Sequence, residues 1–318
     1  MTRLYQDPCF LLHATGRHPE RPQRLAAIAD HFAESQQPTQ CQVAPGWQAA
    51  TLEQLARVHQ LEYVEAVREY AAQGGGQMEA DTVVCPQSYD VAIHATGAVC
   101  DATEQVLGGA ARNALCLVRP PGHHALANGA MGFCLFNSIA VAARHAIQAL
   151  QLDRVLVIDW DVHHGNGTQD TFWSDEQVGF FSIHRWPFYP GTGDRHETGT
   201  GPGLGTTCNL PLTLGISRQE YLQAFETELT TFAAKIKPQC VLLSAGFDSH
   251  RQDPIGSLGL ETEDFATLTD IVLQVAETYC GGRIVSVLEG GYNVDILPYC
   301  IEQHLDALLQ ASENPPHA

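Results

Sequence analysis

The chain has 318 residues and carries 36 acidic against 17 basic side chains, which gives a formal net charge of −19. This charge argues against a nucleic-acid partner, because phosphate binding depends on clustered Lys and Arg, but it would attract cationic substrates such as Lys-rich peptides or polyamines. No secretory signal and no apolar run of 18 residues occurs, so we expect neither export nor a membrane span.

Short apolar runs alternate along the chain with stretches whose apolar residues have helical spacing. We predict three helices in the first third, over Arg21–Ala33, Leu52–Ala72 and Ser88–Leu107. The remaining chain alternates strand and helix: strand Ala114–Val118, helix Asn137–Leu150, strands Arg154–Ile158 and Val178–Ile183, helix Ser217–Ile236, strand Cys240–Ser244, helix Glu261–Tyr279 and strand Arg283–Leu288.

This alternation predicts an α/β fold: one three-layer α/β/α domain over residues 1–318, built on a mainly parallel sheet. No linker, repeat or shift in composition marks a boundary between domains. Ten cysteines are spread without a C-x-x-C pair, several of them inside apolar stretches. We therefore expect free thiols and a cytoplasmic location.

Polar residues follow three of the predicted strands. They lie in R-P-P-G-H-H-A (Arg119–Ala125), in I-D-W-D-V-H-H-G-N-G (Ile158–Gly167) and in A-G-F-D (Ala245–Asp248). If the second run continues as a strand, Asp159, Asp161 and His163 share one face, because side chains alternate. Ligands of open α/β sheets gather at the carboxyl ends of strands, so the three segments predict a metal site. Taken alone, a D-x-H segment or a His pair more often has a structural role.

The ordered set of motifs resembles the zinc-dependent histone deacetylase family, which includes bacterial deacetylase-like amidohydrolases and acetylpolyamine amidohydrolases. The resemblance covers most of the chain and implies the arginase/deacetylase fold. Besides the three segments above it is carried by H-P-E-R-P-Q-R (His18–Arg24), G-F-C-L-F-N (Gly132–Asn137), P-G-T-G (Pro190–Gly193) and E-G-G-Y (Glu289–Tyr292).

The resemblance implies that Asp161, His163 and Asp248 bind one Zn²⁺ per chain. Three protein ligands leave an open position for water and an amide carbonyl, as in catalytic zinc sites. Fe²⁺ or Co²⁺ could occupy the same set of ligands. Family members also bind K⁺ nearby, and here the matching ligands are Asp159, the carbonyls of Asp161 and His163, and Ser182.

Amide hydrolysis needs a proton acceptor for the attacking water and a proton donor for the departing amine. The resemblance assigns both roles to His124, with His123 beside it as an electrostatic partner. Asp159 would orient His123, and Asn166 would contact His124. Some members have Asp where this chain has Asn166, so we expect a lower pKa for His124 than Asp would give. Tyr292 would donate a hydrogen bond to the substrate carbonyl.

The resemblance also predicts the substrate channel. Phe133 and Tyr189 would flank the aliphatic stem of an acylated lysine, although many relatives have Phe in place of Tyr189. Gly132 would offer its carbonyl to the leaving nitrogen. Arg24 matches a residue of the inner pocket that releases acetate, and Asp81 matches a rim carboxylate that binds a substrate backbone amide.

Three alternatives bear on the activity. Gly165 stands where the dinuclear arginases have a bridging Asp, so we expect a single metal. Ile255, in D-P-I-G-S, stands where polyamine-selective members have Glu, which favours acyl-lysine in proteins or peptides over acetylpolyamines. A catalytically silent acyl-lysine binder is disfavoured, because every catalytic position is filled. The sequence leaves the acyl length open, and a homo-oligomer is among the expectations, since large α/β enzymes commonly associate symmetrically.

Overall fold

The computed structural model describes residues 1–35 and 41–313. The strands are β1 (Thr2–Tyr5), β2 (Gln42–Val43), β3 (Gly76–Glu79), β4 (Thr82–Val84), β5 (Asn113–Cys116), β6 (Val155–Asp159), β7 (Val178–Arg185), β8 (Thr207–Leu212), β9 (Cys240–Ala245) and β10 (Ile284–Leu288). The α-helices are α1 (Gln23–Ser35), α2 (Leu52–Leu55), α3 (Leu61–Ala72), α4 (Ser88–Leu107), α5 (Ser138–Gln148), α6 (Asn166–Phe172), α7 (Arg218–Ile236), α8 (Asp264–Cys280) and α9 (Leu297–Glu313).

Eight strands form one sheet in the order β2-β1-β5-β10-β9-β6-β7-β8, and neighbouring strands pair in parallel. Helices α4 and α5 pack together on strands β5 and β6, while α1, α7, α8 and α9 form a second packed group. Strands β5, β6, β9 and β10 are buried throughout, as expected of a parallel sheet covered by helices. The predicted α/β class and parallel sheet are confirmed.

The register of the sheet places the carboxyl ends of its central strands side by side. Asp159, the last residue of β6, lies opposite Ser182 of β7 and Ser244 of β9. Leu288, the last residue of β10, lies opposite Ala245 of β9. The polar segments that follow β5, β6, β9 and β10 therefore start from one edge of the sheet.

The prediction of one helix over Leu52–Ala72 is wrong, because α2 ends at Leu55 and α3 begins at Leu61. The connecting residues keep a few turn-type backbone bonds, such as that from the His59 amide to the Leu55 carbonyl (2.8 Å), and a buried histidine ties them to distant parts of the chain. The His59 ring bonds the carbonyl of Leu126 through Nδ1 (2.9 Å) and accepts from the Asn137 amide at Nε2 (2.9 Å). A tertiary contact thus overrides the local helical spacing.

Helices α6 and α9 and strands β1, β2 and β8 were not predicted, and neither was the antiparallel pair β3–β4. All ten cysteines are free, as expected. Within residues 1–35 and 41–313, no helix has the length and apolar composition that a membrane span requires.

Candidate active site

Strand β6 ends at Asp159, so the prediction that Asp159, Asp161 and His163 share one face of a strand is wrong. The chain instead turns, and side chains bond the backbone of the turn. The Asp161 amide donates to Asp159 Oδ1 (3.0 Å), and the His163 amide donates to Asp161 Oδ1 (2.9 Å). This turn separates Asp159, which faces His123, from Asp161 and His163, which face Asp248.

Asp161, His163 and Asp248 form a buried group whose ligand atoms lie within 4.8 Å of one another. The Nδ1 atom of His163 is 3.0 Å from Asp161 Oδ1 and 3.1 Å from Asp248 Oδ2. Ligands that share a tetrahedral ion at about 2.0 Å lie roughly 3.3 Å apart. The two carboxylates and one imidazole therefore fit a single small cation.

Charge and close packing support the same fit. Burial raises the pKa of Asp248 to about 7, and the charge of the neighbouring Asp161 adds to the shift. A bound cation would relieve this repulsion. Gly290 comes close to both carboxylates, and its amide donates to Asp161 Oδ2 (2.8 Å). A Cβ atom at Gly290 would lie 2.2 Å from Asp248 Oδ2, so this position needs glycine.

The tandem histidines lie beside this group and are buried. The His123 and His124 ring centroids are 4.0 Å apart, and the His124 ring is 6.0 Å from the His163 ring. His123 Nδ1 bonds Asp159 Oδ2 (2.9 Å), and His124 Nδ1 bonds Asn166 Oδ1 (2.7 Å). The structure thus brings each histidine to the partner that the resemblance implied.

The two imidazoles have opposite electrostatic surroundings. Burial lowers the pKa of His123, but the carboxylates of Asp159 and Asp161 outweigh it and raise that pKa to about 10. For His124, burial lowers the pKa well below its usual value, and positive charge on His123 and His163 lowers it further. Adjacent groups whose pKa values are pushed apart are typical of acid–base sites.

Aromatic rings surround the histidines and Tyr292. Tyr189 is 38% exposed, and its ring stands perpendicular to the His124 ring at 5.3 Å. Phe133 meets Tyr292 edge to face at 5.6 Å. Phe188 was not predicted, yet its ring stacks on His163 at 5.2 Å. That stacking fixes the plane of one candidate metal ligand.

The β3–β4 hairpin holds the loop that carries Gly132 and Phe133. Asp81 Oδ1 accepts from the Gly132 amide (3.0 Å), and Thr82 Oγ1 accepts from the Phe133 amide (3.0 Å). A Cβ atom at Gly132 would lie 2.2 Å from His124 Cδ2, so only glycine lets the loop pack against that ring. The Asp81 carboxylate therefore anchors this loop, and substrate binding by Asp81 stays a prediction.

Arg24 is fully buried behind Tyr292. Its guanidinium carbon lies 5.0 Å from the centre of the Tyr292 ring. Arg24 Nε donates to the carbonyl of Gly291 (2.6 Å), and one terminal nitrogen donates to the carbonyl of Glu289 (2.5 Å). This inner position agrees with the predicted one, while acetate release stays a prediction.

Two further predicted residues lie at the edges of the site. Ile255 is half-buried, and its amide donates to Asp253 Oδ1 (2.9 Å). The other oxygen of Asp253 accepts from the Tyr292 amide (2.7 Å), which links the two positions. Ser182 Oγ and His184 Nδ1 share a hydrogen bond (2.9 Å).

The sequence analysis assigned no role to three residues that hold this site together: Phe188, Asp253 and Glu289. The sequence did contain a signal for Glu289, since an acidic residue directly after a buried strand needs a partner. Asp253 and Phe188 lie in loops, where spacing gives no such signal.

Comparisons with known proteins agree with this architecture. A family model described as "Histone deacetylase domain" matches residues 18–308. The chain is 36% identical over 314 residues to "Histone deacetylase-like amidohydrolase" of Pseudomonas aeruginosa, covering 98% of this chain and 81% of that protein. It is 40% identical over 303 residues to human "Polyamine deacetylase HDAC10", covering 91% of this chain and 44% of that protein.

A solved structure titled "Crystal Structure of HDA15 HD domain" superposes with a TM-score of 0.92 at 36% identity, covering 97% of this chain and 89% of that one. The chain therefore belongs to the histone deacetylase family. This family hydrolyses acetylated amides and is generally zinc-dependent. The chain is accordingly a deacetylase-type hydrolase that acts on amides.

Proposed function

We propose that this chain removes acetyl or related acyl groups from the side-chain amide of lysine in proteins or peptides. The proposal rests on the close approach of a histidine pair to a group of candidate metal ligands. The paired imidazoles of His123 and His124 lie directly beside the Asp161–His163–Asp248 group, with 6.0 Å between the His124 and His163 rings. Amide hydrolysis needs both components in one place.

We propose zinc as the metal of this site, held by Asp161, His163 and Asp248. When bound, zinc supplies a Lewis acid that polarises the amide carbonyl and makes water nucleophilic at neutral pH. A K⁺ ion near Asp159 and Ser182 stays a prediction, as do a cytoplasmic location and a homo-oligomer.

His124 is the proposed general base and acid, and Asn166 sets its tautomer. Asn166 Nδ2 donates to Met131 Sδ (3.4 Å), which directs the amide oxygen Oδ1 at His124 Nδ1. The proton of a neutral His124 ring then lies on Nδ1, and Nε2 has the free lone pair. His124 Nε2 would accept a proton from the attacking water and pass it to the departing amine nitrogen.

Tyr292 is the proposed donor to the substrate carbonyl. A hydrogen bond from its hydroxyl strengthens as negative charge develops on that oxygen, so it stabilises the transition state more than the ground state. Phe133 and Tyr189 would flank the lysyl stem. The Gly132 carbonyl already accepts a hydrogen bond from Cys134 Sγ (3.3 Å). It would also accept a hydrogen bond from the N–H of the scissile amide.

Acetylpolyamine hydrolysis is the second candidate. The net charge of −19 and the relative named a polyamine deacetylase both favour it. Against it stands Ile255, because an apolar side chain cannot pair with the secondary ammonium of a polyamine. We therefore rank acyl-lysine first.

A direct comparison of substrates tests this ranking. We expect the zinc-loaded protein to have a higher kcat/KM on an acetyl-lysine peptide than on N-acetylputrescine or acetylspermidine. Ile255→Glu should raise kcat/KM on acetylspermidine by roughly tenfold, which corresponds to about 1.4 kcal/mol for one new ion pair. Ile255→Gln is the matched neutral control and should not produce that gain. A wild-type preference for polyamines would overturn the substrate assignment.

A further inference from the structure

We propose that Glu289 is a positioning residue for this chemistry: its carboxylate fixes the tandem-histidine loop against the strand ends that lead to Tyr292 and Asp248. The inference rests on the proposed function, because it concerns the alignment of His124 with Tyr292. It assigns no contact between Glu289 and the substrate.

The side chain of Glu289 joins three segments of the chain. Its Oε2 atom accepts from the amides of Gly122 (2.7 Å) and His123 (3.2 Å). Its Oε1 atom accepts from the hydroxyl of Ser244 (3.1 Å), which is the next-to-last residue of β9, four residues before Asp248. Glu289 itself directly follows β10 and is 1% exposed. One buried carboxylate therefore connects the loop that follows β5 with the ends of β9 and β10.

The backbone of Glu289 is also held by hydrogen bonds. Its amide donates to the carbonyl of Ala245 (3.0 Å), and its carbonyl accepts from Arg24 (2.5 Å). Tyr292 follows three residues later, with its amide held by Asp253. Any displacement of the histidine loop relative to Glu289 therefore changes the distance between His124 and the Tyr292 hydroxyl.

The other face of the histidine loop is held by backbone contacts. The carbonyl of His123 accepts from the Thr168 amide (3.2 Å) at the start of α6. On the side facing β10, the Glu289 carboxylate supplies the acceptor for two consecutive amides. Without it these amides would be buried and unpaired, so the loop would move to find other partners. A misplacement of about 1 Å between reacting groups costs roughly 10²-fold in rate.

This geometry predicts which substitutions are tolerated. In Glu289→Gln the amide oxygen can accept from Gly122 and His123, while the amide nitrogen can donate to Ser244 Oγ. The three hydrogen bonds survive and the charge is lost. In Glu289→Leu the bulk remains and the acceptors are lost. In Glu289→Asp the carboxylate is too short to reach both sides.

The test measures kcat and KM for all three variants on an acetyl-lysine peptide. We expect Glu289→Gln to stay within about threefold of wild type, whereas Glu289→Leu loses roughly 10²-fold in kcat with KM changed less than about threefold. If Glu289→Leu does not fold, Glu289→Asp takes its place, with an expected loss of about tenfold or more in kcat. Wild-type kcat in a folded Leu or Asp variant would overturn the proposal, as would a Gln variant as impaired as the Leu variant.

A second readout needs no substrate and no metal. Amide hydrogen exchange at Gly122 and His123 should be faster in Glu289→Leu than in wild type and unchanged in Glu289→Gln. Equal exchange in wild type and the Leu variant would refute the positioning role. If the wild-type protein hydrolyses neither peptide nor polyamine, the proposed function fails, while the exchange measurement still decides whether Glu289 holds the loop.

Discussion

Replacing Tyr292 with Phe should remove one hydrogen bond from the transition state and little else. The ring keeps its contacts with Phe133 at 5.6 Å and with Arg24 at 5.0 Å, and the main chain keeps its bond to Asp253. Within residues 1–35 and 41–313 the Tyr292 hydroxyl makes no hydrogen bond that the substitution would remove from the folded protein. We therefore expect the free energy of unfolding to change by no more than about 0.5 kcal/mol.

The loss of activity in Tyr292→Phe should appear as a lower kcat. Loss of one preorganised donor to a developing oxyanion typically lowers kcat by about 10²–10³-fold, or roughly 2.7–4 kcal/mol. Because substrate contacts remain, KM should change by less than about threefold, as expected for an interaction made mainly in the transition state. Steady-state kinetics on an acetyl-lysine peptide measures both constants. Tyr299→Phe is the control, because it removes the same atom from an exposed ring of α9 that contacts His31.

Binding of the same peptide to Tyr292→Phe should persist in calorimetry, which separates a hydrolase from a silent acyl-lysine binder. The reasoning is refuted if metal-loaded Tyr292→Phe retains more than about a tenth of the wild-type kcat, since the expected loss is at least tenfold larger. The site would then need another donor to the carbonyl.

Two further predictions concern the metal and a buried ion pair in which Arg119 donates to Glu20 Oε2 (2.7 Å). Chelation should abolish turnover and lower the thermal unfolding midpoint, and Zn²⁺ should restore both, because a bound ion stabilises only the folded state; turnover that survives thorough chelation would contradict the metal assignment. Burial alone would raise the pKa of Glu20, but Arg119, followed by His13 and Arg24, outweighs it and lowers that pKa from 4.5 to about 2. Ionised Glu20 therefore stabilises the folded protein by about 3 kcal/mol. This contribution is fully present above pH 4.5 and is lost as the pH falls through about 2. Glu20→Gln should lower the free energy of unfolding by about 3–5 kcal/mol at pH 7, because Arg119 is left without its charged partner. Below pH 4.5, the unfolding free energy of this variant should fall less steeply than that of the wild type in denaturant titrations. An equally steep fall would show that Glu20 does not cause the loss of stability in acid.

Periodic spacing was sufficient to predict most of the long elements of the fold, although it did not predict the 17-residue helix α9. Helix α4 has the predicted bounds, and strands β6, β7, β9 and β10 fall within about two residues of theirs. Strand β2 has two residues and exposed side chains, so it carries no apolar signal. The break between α2 and α3 depends on the contact of His59 with residues about seventy positions away, which spacing cannot reveal.

The candidate site was predicted in composition but not in detail. Strand ends brought Asp159, Asp161 and Asp248 to one edge of the sheet, and only the resemblance distinguished the partner of His123 from the proposed metal ligands. The alternation rule failed at Asp159 because β6 ends there and side chains bond the turn. Glu289 was part of a quoted motif but received no role, because that role depends on amides more than 160 residues earlier in the chain.

The place of β10 in the sheet has a consequence for synthesis of the protein. β10 lies between β5 and β9, although it follows every other strand of the sheet in chain order. Without β10, the strands β2-β1-β5 and β9-β6-β7-β8 would form two half-sheets with no hydrogen bonds between them. Each half exposes an unpaired apolar edge that can recruit another chain. We therefore expect a nascent chain to be prone to aggregation until β10 has emerged, and C-terminal truncations before residue 288 should aggregate rather than fold.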